Sequence, residues 1–471
     1  MAKQSRYKKL FSNTLILGIG TFCSKVLTIL LMPLYTEHLT TGEYGIVDLL
    51  VQAANLLIPL VSLGMNTAVL RFGMDGETDS KTVLSTGLAV DLFGFGVFLL
   101  FWPALARIPQ IHDYLPIFYL FVLTSLIHYL FAYFIKTLQK VRLFAICSVI
   151  GTAITLLLDI LFLVVWNGKV LGYMLAIILS DATCIVLFFI FARLYRYIRL
   201  SAIKKSVTRA MLKYSVPLIP TTALWWVTDV SDRYMVTWIA GADANGLYAV
   251  SYKIPNLLIL ISGVFMDAWQ MSILTERRQE RPAFFSRVLK MYYSLIFVCG
   301  SGLILFSKVV TRILVADEYY ASWQYMPTLV IATALSCLVT FLGTIYTVEK
   351  QSKSTLWTTT LGTVLNIIGN YFLIRSMGAQ GAAISTAVSY ALVFVLRSFH
   401  TRRWVRMTWD MPRFLFSFAI LLAQSVVMVK EARGWVWIEI GMLALITVVN
   451  LRPLIQSVQT IVDKKMRRRS V

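Results

Sequence analysis

"LFAICSVIGTAITLLLDILFLVV", residues 143–165, runs for 23 residues with a single charge, Asp159. A bilayer core about 30 Å thick is crossed by roughly 20 helical residues, whereas a buried helix of a soluble domain seldom keeps an apolar run beyond about 14. The stretch therefore reads as a membrane span, and the whole chain speaks the same way. Of its 471 residues 58% are hydrophobic, and only 14% are charged. Soluble domains have roughly 45–50% and about 25%. The mean hydropathy is +0.73. The predicted class is an all-α integral membrane protein.

Working outward from 143–165, apolar runs bounded by turn or charge signals predict fourteen helices. They lie near 11–35, 46–70, 82–106, 114–135, 143–165, 170–192, 214–240, 246–274, 283–306, 323–348, 354–374, 378–396, 414–429 and 434–451. Lys and Arg test the direction of insertion, because they gather in cytoplasmic loops. The connections on the N-terminal side carry 34 of the 44 basic residues, the alternate connections carry 7, and three lie inside spans. A missed or invented helix would scramble that partition, so both termini are expected in the cytoplasm. The formal net charge of +21 is thus a device of topology, and no nucleic-acid partner is expected. The basic start "MAKQSRYKK" reads as the lead-in to a retained first helix, because no small-residue cleavage site follows its apolar run.

The spans repeat. "ANLLIPLVSLGM" (54–65) returns 201 residues later as "PNLLILISGVFM" (255–266). "IGTAITLLLD" (150–159) resembles "LGTVLNIIGN" (361–370), which sets Asp159 opposite Asn370, and "GYMLAIILS" (172–180) resembles "GAAISTAVS" (381–389). The shared order predicts two pseudo-symmetric six-helix lobes, 1–192 and 214–399. A basic interfacial linker at 193–213, two extra transmembrane helices within 400–451 and a basic tail at 452–471 complete the domain plan. An even number of helices per lobe makes the repeat parallel, a common transporter design.

Ionisable residues inside spans face a bundle interior or a wet cavity. Candidates are Lys25, Asp48, Asp91, Asp159, Asp181, Asp229, Asp232, Arg233, Lys253 and Asp267. Asp48, Gln52 and Asn55 are spaced i, i+4, i+7 on one helix face. Lys253 and Asn256 occupy the positions equivalent to Gln52 and Asn55. Two such stripes would line a central hydrophilic cavity; the alternative is hydrogen bonding between helices. Lys25 is expected as a cavity cation. Arg233 lies four residues after Asp229, so an internal ion pair is the competing reading.

Catalytic signatures are missing from the sequence. Cys23, Cys147, Cys184, Cys299 and Cys337 lack metal-ligand spacing and read as small buried residues. His38, His112, His128 and His400 are scattered. No cofactor or metal is expected, and an enzyme would need a larger outer loop than 307–322 provides.

Pro33-Leu34-Tyr35 followed by "LTTGEYGIVDLL" (39–50), then "SDRYMVTWIAGADANGLYAVSYKIPNLL" (231–258) and "GAQGAAISTAVS" (378–389), resemble the bacterial oligosaccharide flippases of polysaccharide biosynthesis. Those proteins belong to the superfamily that also holds multidrug extruders and lipid II flippases. The resemblance implies alternating access by two lobes in the bacterial cytoplasmic membrane. The implied cargo is an undecaprenyl-diphosphate-linked oligosaccharide, an O-antigen or capsule repeat unit, with a polysaccharide polymerase and glycosyltransferases as partners and room for a coupling cation. On this reading Lys25, Lys253 and Arg233 meet the diphosphate, and the stripes of Asp48, Gln52, Asn55 and Asn256 meet the sugar. Lipid II flippases carry cavity arginines in their first, second and eighth helices. Here lysines stand in the first and eighth and the second has no central Arg, a point charge replacing a bidentate fork. A cation-coupled drug extruder and a lipid II flippase are the alternatives.

Overall fold

Two compact units make up the chain, Met1–Val230 and Ser231–Val471. The computed structural model describes residues 30–75, 78–275, 281–349, 351–431 and 433–467, and every regular element among them is helical. Ten of the described helices are long and apolar enough to cross a membrane. The fold is that of an all-α integral membrane protein. Most of the expected first span, with Lys25 and Cys23, lies outside the described residues.

The first unit contains α1 (Met32–His38), α2 (Thr41–Val61), α3 (Met65–Asp75), α4 (Ser80–Leu99), α5 (Leu115–Thr137), α6 (Val141–Asp159, continued as a π-helix over Ile160–Val165), α7 (Lys169–Phe191) and α8 (Lys205–Ser215). The motif at 39–50 explains how α2 begins. Thr40 Oγ1 accepts from the Glu43 N–H at 3.3 Å, and Glu43 Oε2 accepts from the Thr40 N–H at 3.0 Å, a reciprocal capping box. Glu43 also pairs with Lys169 at 2.9 Å, joining the start of α2 to the start of α7.

The sequence predicts one helix over 46–70, but α2 and α3 are separate. Leu63 and Gly64 have φ of 51° and 67°, which break the helix inside the expected span. Ser215 fastens the break by donating from Oγ to the Leu63 carbonyl at 2.7 Å. Unpaired backbone is tolerated at such depth only where protein covers it. The basic linker is also less regular than the sequence suggests. Only Lys205–Ser215 is an α-helix, preceded by short 3₁₀ turns at Leu194–Arg196 and Leu200–Ala202.

α9 (Ile219–Ala240) crosses from the first unit into the second. The second unit continues with α10 (Ala242–Ser251), α11 (Asn256–Thr275), α12 (Arg281–Leu305), α13 (Ser307–Leu314), α14 (Met326–Val348), α15 (Ser352–Met377), α16 (Ala379–His400), α17 (Met411–Lys430) and α18 (Trp435–Arg467). The predicted helix over 246–274 is again two helices, separated at Tyr252–Pro255. Proline has no N–H to give the carbonyl four residues back and its ring clashes there. The core of this unit gathers on α12 and α14, where Tyr292, Phe297, Phe341 and Leu342 are fully buried. The Lys308 ammonium lies 4.2 Å from the Trp323 ring and 4.3 Å from the Trp435 ring, and pairs with Glu431. That cluster holds the last two helices to α13. Cys147, Cys184 and Cys337 are buried and Cys299 partly so.

Candidate functional site

In the first unit the helix break and two tyrosines of α5 enclose a cavity of about 230 Å³. Its polar wall is Asn55, Ser62, Asn66, Thr67, Tyr129 and Tyr133, and Ile58, Leu218 and Ile219 supply apolar surface. The break makes this cavity: ending α2 at Val61 brings Asn66 and Thr67, at the start of α3, to the same space as Asn55. Tyr129 and Tyr133 are spaced i, i+4, one face of α5.

The predicted stripe on α2 is graded. Asp48 is buried, Gln52 is half-buried and Asn55 is exposed and lines the cavity. Asn55 Nδ2 donates to Gln52 Oε1 at 3.4 Å, and the Gln52 carbonyl accepts from Trp226 Nε1 at 2.9 Å. The cavity takes in Asn55 but not Asp48 or Gln52. Asn66, Thr67, Tyr129 and Tyr133 escaped the sequence reading; the i, i+4 tyrosines in "IHYLFAYFIK" (127–136) were the available signal.

Behind Tyr129 stands a hydrogen-bonded acid. His128 Nδ1 lies 2.6 Å from Asp181 Oδ1, and Ser125 Oγ donates to Asp181 Oδ2 at 2.6 Å. The His128 and Tyr129 rings are 5.9 Å apart and 14° from parallel. Asp159 is fully buried and accepts from the Tyr35 hydroxyl at 2.7 Å, tying α1 to the α6 span. Asp91 is also fully buried, and neither carboxylate oxygen has a hydrogen-bond partner among the described residues.

In the second unit Arg233 is buried on α9, with its guanidinium 5.2 Å from the Tyr252 ring centre. Neighbouring Asp232 accepts from Tyr248 at 2.7 Å, from Tyr252 at 3.2 Å and from the Arg233 N–H at 2.9 Å. The side chains of Asp229 and Asp267 lie outside the described residues. Lys253 sits half-buried in the break and Asn256 opens α11. Asn370, the sequence counterpart of Asp159, donates to Asn366 Oδ1 at 3.0 Å; that same oxygen accepts from Ser231 on α9 at 3.4 Å. Tyr35–Asp159 thus joins α1 to the α6 span, and Ser231–Asn366 joins α9 to α15. Arg397 is buried on α16 and donates to Thr358, Thr359 and the Val339 carbonyl at 2.8–3.1 Å, clamping three helices. Among the described residues no group of His, Cys, Asp and Glu could hold a metal ion.

The described residues thus form a bundle of helices apolar enough to span a membrane, with a polar cavity in the first unit. The family model for polysaccharide biosynthesis proteins matches residues 10–269, and the chain belongs to that family. Its fold is similar to those of several solved membrane proteins. The lipid II flippase MurJ, inward closed, aligns with a TM-score of 0.69 at 14% identity over 93% of this chain and 98% of that one. An inward-facing multidrug resistance MATE transporter gives 0.67 at 13% identity over 81% and 95%. An outward-facing MATE transporter gives 0.60 at 14% over 84% and 95%. No curated protein matches the sequence.

Proposed function

We propose that this protein is a flippase. It carries undecaprenyl-diphosphate-linked oligosaccharide repeat units from the cytoplasmic to the outer leaflet of a bacterial cytoplasmic membrane by alternating access, with both termini in the cytoplasm. The observation that carries the proposal is the polar cavity of the first unit, set among spanning helices of a polysaccharide biosynthesis protein. Moving such a lipid requires water-like surroundings for the headgroup, while the prenyl chain stays in hydrocarbon. Lys25, Arg233 and Lys253 are assigned to the diphosphate, and Gln52, Asn55 and Asn256 to the sugar, with Asp48 supporting from the buried end of its stripe. Products pass to a polysaccharide polymerase, and glycosyltransferases supply the cargo, an O-antigen or capsule unit. The protein's work is translocation, with no bond made or broken.

Proteoliposomes test this directly. A lipid-linked oligosaccharide placed in one leaflet should reach the other only in vesicles that hold the protein, and Lys253→Ala should slow transfer at least tenfold. Equal transfer in empty vesicles overturns the reading. A drug or cation extruder is the second reading, favoured by Asp91, a buried carboxylate without a described hydrogen-bond partner. Ethidium efflux from cells, lost in Asp91→Asn, would select it.

A further inference from the structure

Resting on the flippase reading, we infer that the first-unit cavity is a receptor for the sugar moiety alone, and that the diphosphate binds elsewhere. Among the described residues none that lines it is Lys, Arg, Asp or Glu. Lys136, one turn along α5 from Tyr133, is not part of the lining; its ammonium lies 4.8 Å from the Tyr133 ring and 4.4 Å from the Phe144 ring. A phosphate brought into this cavity would shed part of its hydration without meeting a counter-charge among the described lining residues.

The hydrogen-bonding inventory sharpens the choice. Some donors here are turned inward: Thr67 Oγ1 donates to the Gly64 carbonyl at 2.7 Å, Ser62 to the Pro59 carbonyl at 3.4 Å, and Asn55 Nδ2 to Gln52, while the hydroxyls of Tyr129 and Tyr133 still offer protons that a sugar oxygen can accept. Acceptors are left over. Asn66 Oδ1 is buried and has no hydrogen-bond partner among the described residues, and Pro59 inside α2 has no N–H to offer the Asn55 carbonyl. An ionised phosphate presents only acceptors, so it cannot satisfy these atoms; a sugar presents a rim of O–H donors. A protonated amine also donates, but among the described residues no carboxylate lines the cavity to neutralise it. Tyr129 and Tyr133 add flat rings for the C–H face of a pyranose. Drug-sized pockets span roughly 300–1,000 Å³, so a volume of about 230 Å³ suits one sugar ring better than a whole repeat unit.

The test uses the full chain in lipid nanodiscs and two probes, undecaprenyl diphosphate and the same lipid bearing one N-acetylhexosamine, with binding read by native mass spectrometry. The sugar-bearing lipid should bind more tightly to the wild type. Asn66→Ala should weaken it about tenfold, the loss expected for one buried polar partner, and leave the sugar-free lipid unchanged. Tyr129→Ala, at an exposed ring, should do the same, with thermal unfolding reporting that both variants remain folded. Equal losses for the two probes, or no loss for either, overturn the sugar assignment while the flippase reading stands. A wild-type protein that binds neither lipid overturns both.

Discussion

Residues 54–65 and 255–266 are nearly the same sequence, yet their backbones part company. In the first copy the helix runs through Asn55 to Val61 and breaks at Leu63-Gly64; in the second it breaks before Pro255 and runs unbroken past Met266. The cause is local. Gly64 has φ of 67°, and its counterpart 201 residues on is Phe265, for which that conformation is costly. Pro255 corresponds to Ala54, which sits buried within α2. In two similar segments, one residue difference per segment can thus move the break. The first copy's break, at the far end of a long helix, forms part of the polar cavity.

Where the copies agree, they agree in backbone contacts. Gly172 and Gly381 are sequence counterparts. A Cβ on Gly381 would lie 2.1 Å from the Leu373 carbonyl oxygen, and one on Gly172 would lie 3.0 Å from the Phe162 carbonyl oxygen. Gly381→Ala should therefore have the largest effect, about 3 kcal/mol of destabilisation from overpacking against backbone. Gly172→Ala should cost about 1 kcal/mol, both read as thermal unfolding in detergent. Equal losses would mean that the two contacts are equally tight.

The buried acids give the next contrast. Tyr35→Phe removes the hydroxyl donor of fully buried Asp159, while Tyr248→Phe leaves Asp232 with Tyr252 and the Arg233 N–H. The first should cost about 1–3 kcal/mol and the second about 1 kcal/mol; a reversed order would contradict the hydrogen-bond pattern. At the breaks themselves, Gly64→Ala forces a left-handed alanine against Ser215 and should cost about 1–2 kcal/mol. Gly263→Ala in the other copy meets open space and should be neutral or stabilising by up to about 1 kcal/mol. The smallest effect is expected of Pro255→Ala. It should change stability by less than about 1 kcal/mol and slow amide exchange over residues 252–255 as the two helices join.

Much of the fold was legible because a span is announced by contiguous residues. The runs at 114–135 and 170–192 appear as Leu115–Thr137 and Lys169–Phe191. The site was legible only in part. Asn55 stood out as a polar residue in an apolar run, whereas Tyr129 and Tyr133 looked like ordinary aromatic packing. Helix breaks were the least legible feature: Ser62-Leu63-Gly64 carries a glycine, but so do helices that continue straight through one, as α11 does at Gly263.

The sequence by itself determined the membrane class and the place of spans such as 114–135 and 170–192. Run length and hydropathy are properties of neighbours along the chain. The tertiary structure alone decided which buried acids are tied, Asp159 to Tyr35 and Asp181 to His128, and which polar atoms meet in a cavity. Those partners lie 124 and 53 residues apart, and the packing of whole helices brings them together.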